Sequence, residues 1–533
     1  MTKRHSATRT MKLAIALSIM AVAVRFVLID QPYIDRWSWR QSDVASIARN
    51  FLQNGFHFAR PQIDWAGDQP GYVGTEFPLL PFIAALCYKV FGIHEWVTRI
   101  QAVVFFALSL SFFFLIVRQI FGPVAALWAL LFYSFAPLNI MASRCFIPDV
   151  PSLSLALIGL YFFVRWTEDR TSSAFFISAA ALSLSILIKA SSAVMAVPIL
   201  YVAVSTVHNS RRNKERQFPK PPGRSGDHPS LSFGAHRTPL QLAALAAIGI
   251  LPAAVWYWHA YQIAQKFYPF HFFGEGGIRI ESTNWYFDIV SRLFTSSLTP
   301  LLSILALIGL FLVPREKYAR VFHWWLLAMI LFIAAAGYGN RHPWYQLPLV
   351  PISAVFAGQF CARVLALPAF ARANSYPALF MRAGFSLVLI AFAASALACA
   401  QILYLPVAAP FRRAGLELKK LTPRDALIVA ADNGNPTLFY YAERKGWHFP
   451  EEDGMWQGAP RDSRQAIADL EHLRTRGANY FVFPQDTFWW LNYYTDFAQY
   501  LNRSAALIKA TDDFKIYELT KLSASFTDLP DRY

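Results

Sequence analysis

The chain has 533 residues, of which 55% are hydrophobic and only 15% are charged. This composition excludes an ordinary soluble protein of that length and indicates a polytopic membrane protein. The net charge of +16 does not indicate a nucleic-acid partner, because the excess basic residues lie in short loops between apolar runs, where they orient membrane spans.

Eleven apolar runs approach the roughly 20 residues that a helix needs to cross a bilayer, so we predict about eleven transmembrane spans. Basic residues precede the first run and no small-residue cleavage site follows it, which predicts a retained first helix with a cytoplasmic N-terminus. The runs lie near 13–30, 98–117, 123–142, 152–166, 172–188, 191–207, 239–262, 293–313, 323–339, 345–365 and 379–405.

A further apolar run, residues 77–92, is predicted to lie along the outer surface as a juxtamembrane helix. If it crossed the membrane, the basic segments 165–170, 211–220 and 315–320 would face outward, against the charge bias of membrane proteins. With this run on the surface, those segments are cytoplasmic and the polar loop 31–97 lies outside.

The remaining connections follow from the same topology. The loop 208–238 is rich in Arg, Lys, Pro, Gly and Ser and is predicted to be a flexible cytoplasmic connector. Residues 1–407, including the outer loop 31–97, are assigned to a transmembrane domain, and residues 408–533 to an extracytoplasmic one.

The composition changes near residue 408 to that of a soluble domain. Strand and helix patterns alternate there, which predicts a small α/β layer domain. The fold class is therefore an all-α transmembrane bundle with a C-terminal α/β domain, which either recognises an acceptor or caps the bundle. Strands are expected at 425–431, 478–483 and around 514–519, and helices at 436–445 and 463–476.

The densest polar cluster near a membrane boundary is residues 35–43, directly after the first span. Asp43 opens a stretch with apolar residues at helical spacing, so its carboxylate is predicted at a helix N-terminus, where it acts as a base or only as a helix cap. Asp35 is the competing acid. Arg40 is a nearby cation that suits a phosphate and also lowers the pKa of either acid.

Other ionisable residues fall on the same predicted face. Glu76, at the entrance of the surface helix, is expected to bind a metal or sugar hydroxyls, or only to favour the helix N-terminus. The remaining candidates lie between spans, and they are Arg144, Asp149, Lys189, Arg341, His342 and Tyr345. Asp149 either caps the next helix or, with Arg144, faces the first loop, and the others either snorkel or form part of a ring of cations for an anionic headgroup.

Three motifs carry a family resemblance, which covers residues 11 to about 405. The chain resembles membrane glycosyltransferases of the GT-C class, in the broad family 39 group that includes protein O-mannosyltransferases and the aminoarabinose transferases of lipid A. The first motif looks most like the WRQxD variant of many bacterial members. The motifs are Trp39-Arg40-Gln41-Ser42-Asp43, Glu76-Phe77-Pro78-Leu79, and Arg144 with Pro148-Asp149.

The resemblance implies a polyprenyl-phosphate sugar donor and transfer, with inversion, to a hydroxyl of a lipid, glycan or protein acceptor at the outer face of the bacterial inner membrane. It implies Asp43 as the base. Asp35 stays an alternative, because better-known members carry their acidic pair at the positions of Arg40 and Gln41.

Roles for the other candidates follow from the same resemblance. Arg40, Lys189, Arg341 and Arg144 would bind the donor phosphate. Glu76, Asp149, His342 and Tyr345 would bind substrate. A divalent cation near Glu76 and Asp149 stays open, and no cofactor is certain.

A flippase or transporter of a lipid-linked sugar is the alternative function, because it also needs many helices and a cationic site. Transporters usually place their polar sites near the membrane midplane and often show internal repeats. This chain shows no repeat, and its candidate charges gather at one face, which favours the transferase.

Overall fold

The computed structural model describes residues 2–217, 233–272, 277–312, 317–367, 376–452 and 454–519. The chain forms two compact units, and we describe each by itself. The first unit comprises Met1–Ile29, Arg99–Tyr257 and Gly274–Leu403, and the second comprises Asp30–Thr98, Trp258–Phe273 and Tyr404–Tyr533. The outer loop, which we assigned to the transmembrane domain, thus falls in the same unit as the C-terminal segment.

The first unit is built of helices. The predicted connector 208–238 is partly helical, because helices cover 208–217 and 233–238, and the residues between them lie outside the described ranges. The helices, some of which extend into the second unit, are Thr2–Arg25, Glu95–Phe121, Pro123–Phe135, Pro137–Ala142, Asp149–Asp169, Ser172–Ile188, Ala196–Gln217, Phe233–Lys266, Thr283–Arg292, Pro300–Leu310, Val321–Ala335, Leu349–Leu365 and Tyr376–Leu403.

Five stretches of helix in the described ranges are long and apolar enough to cross a membrane: Glu95–Phe121, Asp149–Asp169, Ala190–Val207, Pro239–Lys266 and Arg382–Leu403. A sixth span results if Thr283–Ser297 and Pro300–Leu310, which meet at 109°, are counted as one. Shorter apolar helices occupy several other predicted spans. The chain is therefore a multi-pass membrane protein, and the count of about eleven spans stays a prediction.

The predicted surface run forms the helix Leu79–Phe91 in the second unit. Its 13 residues extend about 20 Å at the rise of an α-helix, well short of the roughly 30 Å of a bilayer core. The helix therefore has the length expected of a surface helix.

Small residues let helices of the first unit pack closely, as is common in membranes. Gly358, on the helix Leu349–Leu365, faces the helix Pro123–Phe135 so closely that a Cβ atom would lie 2.7 Å from the Ala125 carbonyl oxygen. The same Cβ would lie 2.8 Å from the Ala129 amide nitrogen. Because both atoms belong to the backbone, the neighbouring helix itself would have to move.

The C-terminal part of the second unit forms a five-stranded sheet in the order β2-β1-β5-β7-β6. Strand β1 pairs in parallel with β2 and β5, and β7 pairs antiparallel with β5 and β6. The predicted α/β layer is confirmed, although β2 and β6 were missed. The strands are β1 Leu427–Ala430, β2 Lys445–His448, β3 Glu451–Glu452, β4 Met455–Trp456, β5 Ala478–Pro484, β6 Ala505–Ala510 and β7 Phe514–Leu519.

Short helices flank this sheet and complete the C-terminal layer. They are Ala409–Leu421, Thr437–Ala442, Ser463–Thr475, Trp490–Tyr493 and Thr495–Ser504.

The outer loop supplies part of the core on one face of this sheet. Successive residues of a strand face opposite sides, so Ile428 and Val429 enter two different cores. The core around Ile428 also contains Ile47 and Phe51, from the outer-loop helix Ser38–Asn54. The helix that carries Asp43 is therefore packed as one layer of the α/β unit.

We expect Gly358→Val to destabilise the protein by about 2 kcal/mol or more, since overpacking against backbone atoms forces the helices apart. Thermal unfolding in detergent measures the effect. The matched control is Gly384→Val on the helix Tyr376–Leu403, where an added Cβ meets nothing within 4 Å. Equal melting temperatures for the two variants would contradict the close packing.

Candidate active site

We predicted Asp43 at a helix N-terminus, but it lies inside the helix Ser38–Asn54. The helix begins five residues earlier because Asp35 organises its first turn. The Asp35 Oδ1 atom accepts hydrogen bonds from the Trp37 backbone amide and from Gln41 Nε2, both at 2.9 Å. The fully buried Asp35 therefore serves the helix start, and Asp43 lies more than one turn inside the helix.

Two donors and a second carboxylate surround Asp43, which is only 3% exposed. Trp65 Nε1 donates a hydrogen bond to Asp43 Oδ1 at 3.1 Å, and Arg40 Nη1 lies 3.5 Å from Asp43 Oδ2. The other terminal nitrogen of Arg40 lies 2.7 Å from Glu76 Oε1. One guanidinium thus bridges the buried Asp43 carboxylate and the partly buried Glu76 carboxylate, a geometry for which arginine is suited.

The pKa of Asp43 is raised from its usual range to about 6. Burial is the largest cause, because a low-dielectric interior disfavours the carboxylate. The positive charge of Arg40 and the hydrogen bond from Trp65 lower the pKa and offset part of this effect, whereas the charge of Glu76 raises it. Asp43 therefore exchanges a proton near neutral pH, as a general base must.

Sequence reasoning missed Trp65, which donates to this carboxylate, and two histidines that contact the Trp65 ring. The Trp65 ring contacts His271 edge-on at a centroid distance of 5.4 Å and His448 at 5.2 Å. His271 is held neutral because burial and Arg40 lower its pKa to about 4. The signal for Trp65 was its place in the Pro- and Gly-punctuated outer loop, but no local pattern connects that loop to His448.

Another arginine of the outer-loop helix is structural. Arg49 forms a buried ion pair with Asp64, donates a 2.5 Å hydrogen bond to the Tyr440 carbonyl oxygen and lies 4.9 Å from the Tyr440 ring centroid. Asn50 Nδ2 donates to the other Asp64 oxygen at 3.0 Å. These contacts join the outer loop to the helix Thr437–Ala442 and fix the layer that carries Asp43.

A second cluster lies in the first unit and brings together three of the predicted residues. Lys189 Nζ lies 3.0 Å from Asp149 Oδ1 and 4.1 Å from the centroid of the Tyr345 ring. Lys189 directly follows the helix Ser172–Ile188 in extended conformation, and Asp149 is the first residue of its helix. Tyr345 also lines a cavity of about 20 Å³ together with Ser192.

The other predicted cations of the first unit have different neighbours. The fully buried Arg144 donates a 2.5 Å hydrogen bond to the Leu28 carbonyl oxygen. The Arg341 guanidinium lies 3.8 Å from the centroid of the Tyr338 ring, and His342 stacks on Trp344 at 4.6 Å. Their roles in binding phosphate or substrate stay predictions.

The residues described do not form a group of three or more His, Cys, Asp or Glu side chains that would hold a metal ion. Glu76 is paired with Arg40, and Asp149 is paired with Lys189. Carboxylates already neutralised by a cation fit poorly as ligands of Mg²⁺ or Ca²⁺, which prefer several negatively charged or neutral oxygens. We therefore assign no step to a metal.

Comparison with known proteins agrees with this architecture. Residues 68–219 match the family model described as dolichyl-phosphate-mannose-protein mannosyltransferase. No curated protein sequence matches the chain.

Solved structures share the fold over nearly the whole chain. Apo ArnT from Cupriavidus metallidurans has a TM-score of 0.61 and 17% identity, covering 96% of this chain and 98% of that chain. The same protein bound to undecaprenyl phosphate has a TM-score of 0.58 and 15% identity, covering 95% and 97%. The archaeal oligosaccharyltransferase AglB from Archaeoglobus fulgidus, in complex with an inhibitory peptide and a dolichol-phosphate, has a TM-score of 0.57 and 15% identity, covering 98% and 75%.

The chain thus has the fold of the GT-C class of membrane glycosyltransferases. Within that class, the family-model match and the ArnT fold confirm the resemblance to family 39 that the motifs suggested.

We expect Lys189→Met to destabilise the protein by about 3 kcal/mol, because it leaves the Asp149 carboxylate buried without its cation. The double variant Lys189→Met/Asp149→Leu should regain most of this loss. Thermal unfolding in detergent measures both effects.

The control is Arg165→Met on the helix that carries Asp149. Its ion pair with Asp169 is exposed, so its loss should cost no more than about 1 kcal/mol. If the double variant is no more stable than Lys189→Met, the pairing seen here does not decide the stability of this site.

Proposed function

We propose that this protein transfers a sugar from a polyprenyl-phosphate donor to an acceptor hydroxyl at the outer face of the membrane, with inversion at the anomeric carbon. The observation that carries the proposal is the buried Asp43, whose pKa of about 6 makes it a stronger base than an ordinary aspartate while leaving it mostly ionised at neutral pH.

The donor class is supported by the proteins that share this fold. One is bound to undecaprenyl phosphate and another to a dolichol-phosphate, both of which are lipid-linked phosphates. In this chain, Lys189 is the cation proposed to bind the donor phosphate. It is held against Asp149 and Tyr345, which fixes the ammonium group in a buried place where an anion gains more from it than in water.

The proposed chemistry is a single displacement. The proton of the acceptor hydroxyl passes to the Asp43 carboxylate as the acceptor oxygen forms its bond to the anomeric carbon. The bond from that carbon to the phosphate oxygen breaks, and its electron pair leaves with polyprenyl phosphate. Because one attack occurs from the face opposite the leaving group, the configuration inverts, and a phosphate neutralised by cations needs no proton donor.

Arg40 has a supporting part in this scheme. Its guanidinium lies beside Asp43, and Glu76 holds it there. The positive charge keeps the pKa of Asp43 from rising further, so the base stays ionised at neutral pH. The main role proposed for Glu76 is therefore to position Arg40, and not to contact the sugar.

The proposed topology gives this reaction its compartment. The N-terminus is cytoplasmic, the C-terminal domain is extracytoplasmic, and the membrane is the bacterial inner membrane. The acceptor is a lipid, a glycan or a protein, and the sugar is a hexose or a pentose.

Purified protein in vesicles with a synthetic polyprenyl-phosphate sugar tests the proposal. A transferase releases polyprenyl phosphate and forms a glycosylated acceptor, whereas a flippase moves the intact donor between leaflets. Movement without cleavage would overturn the transferase proposal in favour of the flippase.

We expect Asp43→Asn to lower the turnover number at least 100-fold, since a general base contributes about 10² to 10⁴ in rate. Donor binding, measured by retention of a labelled polyprenyl-phosphate sugar, should change little. Asp35→Asn is the comparison, and its effect should fall on the melting temperature, because Asp35 holds the helix start. Unchanged turnover in Asp43→Asn would transfer the role of base to Asp35.

We expect the turnover number to follow an acid limb with a midpoint near pH 6. Asp43 must be ionised to accept the proton, and its pKa is about 6, so the rate is nearly full at pH 7 and falls about tenfold per pH unit well below the midpoint. A pH–rate profile at saturating donor measures this. A midpoint near 4, as for an exposed aspartate, would show that burial does not raise the pKa of the catalytic base.

A further inference from the structure

The C-terminal layer contacts the indole that holds the candidate base. His448 is the last residue of strand β2 and is buried, with only 5% exposed. Its neighbour Trp447 enters the core on the opposite face of the sheet, so by strand alternation His448 faces the side that carries the outer-loop helix. There its ring lies 5.2 Å from that of Trp65 and 5.4 Å from that of Phe439.

Asp432 fixes the orientation of this imidazole. Strands β1 and β2 run in parallel with Ala430 opposite His448, so the residues just after β1 reach the ring. The Asp432 oxygens lie 2.8 and 2.9 Å from His448 Nδ1, and Oδ1 also accepts a hydrogen bond from the Gly434 amide. The carboxylate is fully buried, and that burial raises its pKa.

A buried Asp–His pair is a costly way to fill a core. Apolar residues of the same volume would pack here without desolvation of polar groups. The pair supplies what apolar residues lack, since two hydrogen-bonded groups hold a ring at one angle. The ring that it holds is in contact with Trp65, whose single N–H group donates to Asp43.

We propose that Asp432 and His448 are positioning residues for Asp43, acting through Trp65. Asp432 orients His448, His448 fixes the plane of the Trp65 indole, and the indole N–H keeps the Asp43 carboxylate aimed. The inference rests on the proposed function, which gives Asp43 its role as base. It assigns the C-terminal domain a part in the reaction itself, besides acceptor recognition or capping.

The test is a double-mutant cycle between Trp65→Phe and His448→Asn. Phenylalanine keeps a ring for His448 but removes the N–H donor, and asparagine keeps a donor near Nδ1 for Asp432 but removes the ring. Each single variant should lower the turnover number about tenfold, since loss of one aligned hydrogen bond and of orientation has effects of that order, and the KM for donor should stay unchanged. The double variant should be no slower than Trp65→Phe alone, because the two residues act in series.

Asp432→Asn is the variant that preserves the shape of the side chain. If His448→Asn fails to fold and accumulate, Asp432→Asn provides the test in a folded protein. It should also lower the turnover number. Unchanged turnover in this variant, or losses that multiply in the double variant of Trp65 and His448, would overturn the proposal.

Two controls separate positioning from general loosening of the domain. Leu470→Ala opens a cavity in the core on the other face of the sheet, and His472→Asn makes the same substitution at an exposed place on the helix Ser463–Thr475. Leu470→Ala should lower the melting temperature without changing the turnover number of the folded protein. A loss of turnover in Leu470→Ala as large as that in His448→Asn would show a merely structural role.

Infrared titration of Asp43 does not require turnover, so it tests the inference separately from the proposed function. The carboxyl band of Asp43 in infrared titrations, assigned by its loss in Asp43→Asn, should have a midpoint near 6. Arg40, Glu76, Trp65 and His448 all influence this carboxylate.

In Trp65→Phe the midpoint should rise, and His448→Asn should raise it less in that background than in the wild type, because only the direct charge effect of His448 on Asp43 is then lost. A rise equal to that in the wild-type background would mean that His448 acts on Asp43 by its charge alone and would overturn positioning through Trp65. If the wild-type protein fails to release polyprenyl phosphate while the titrations behave as expected, the proposed function fails and the coupling stands.

Discussion

The second unit depends on one constraint, which is that it must hold an ionisable carboxylate in the protein interior. Moving an ionised aspartate out of water costs several kcal/mol unless nearby groups compensate. At Asp43 the compensation is partial: one indole N–H and one guanidinium shared with Glu76. The remainder appears as a pKa of about 6, and this incomplete compensation is what suits Asp43 to the proposed role of base.

Such a site requires a rigid surround, and the fold supplies it by layering. The helix Ser38–Asn54 is buried almost throughout because the C-terminal sheet covers one face of the outer loop. The Arg49 and Asp64 pair, with its bond to the Tyr440 carbonyl, ties that helix to the layer. The C-terminal domain is therefore part of the structure that holds the proposed base, and its removal would expose Asp43 to solvent and return its pKa toward the usual range.

Charge pairing follows the same logic in the first unit. Lys189 and Asp149 are both buried, and each neutralises the other. In the proposed reaction a donor phosphate adds negative charge beside Lys189, so the ammonium is shared between a fixed carboxylate and a transient ligand. In that proposal the competing Asp149 carboxylate would weaken the binding of the phosphate to Lys189, which suits a phosphate that must leave as product.

The sequence alone determined the membrane class, the C-terminal α/β layer, and Asp43, Arg40 and Glu76 as separate polar candidates in the outer loop. These features are local and can be read from the sequence without the tertiary structure. They are hydrophobic runs, strand and helix patterns, and charges near an apolar boundary. The WRQxD motif suggested the resemblance to family 39 on the same local basis.

Only the tertiary structure decided which groups form hydrogen bonds or ion pairs with each acid. Asp35 and Asp43 are alike in the sequence, and they differ because one accepts hydrogen bonds at the start of a helix and the other lies beneath Trp65 and Arg40. Likewise, His448 joins the site because strand β2 places it against Trp65 of the outer loop, which is distant in the chain. Burial and pairing between distant segments set pKa values, and no local pattern encodes them.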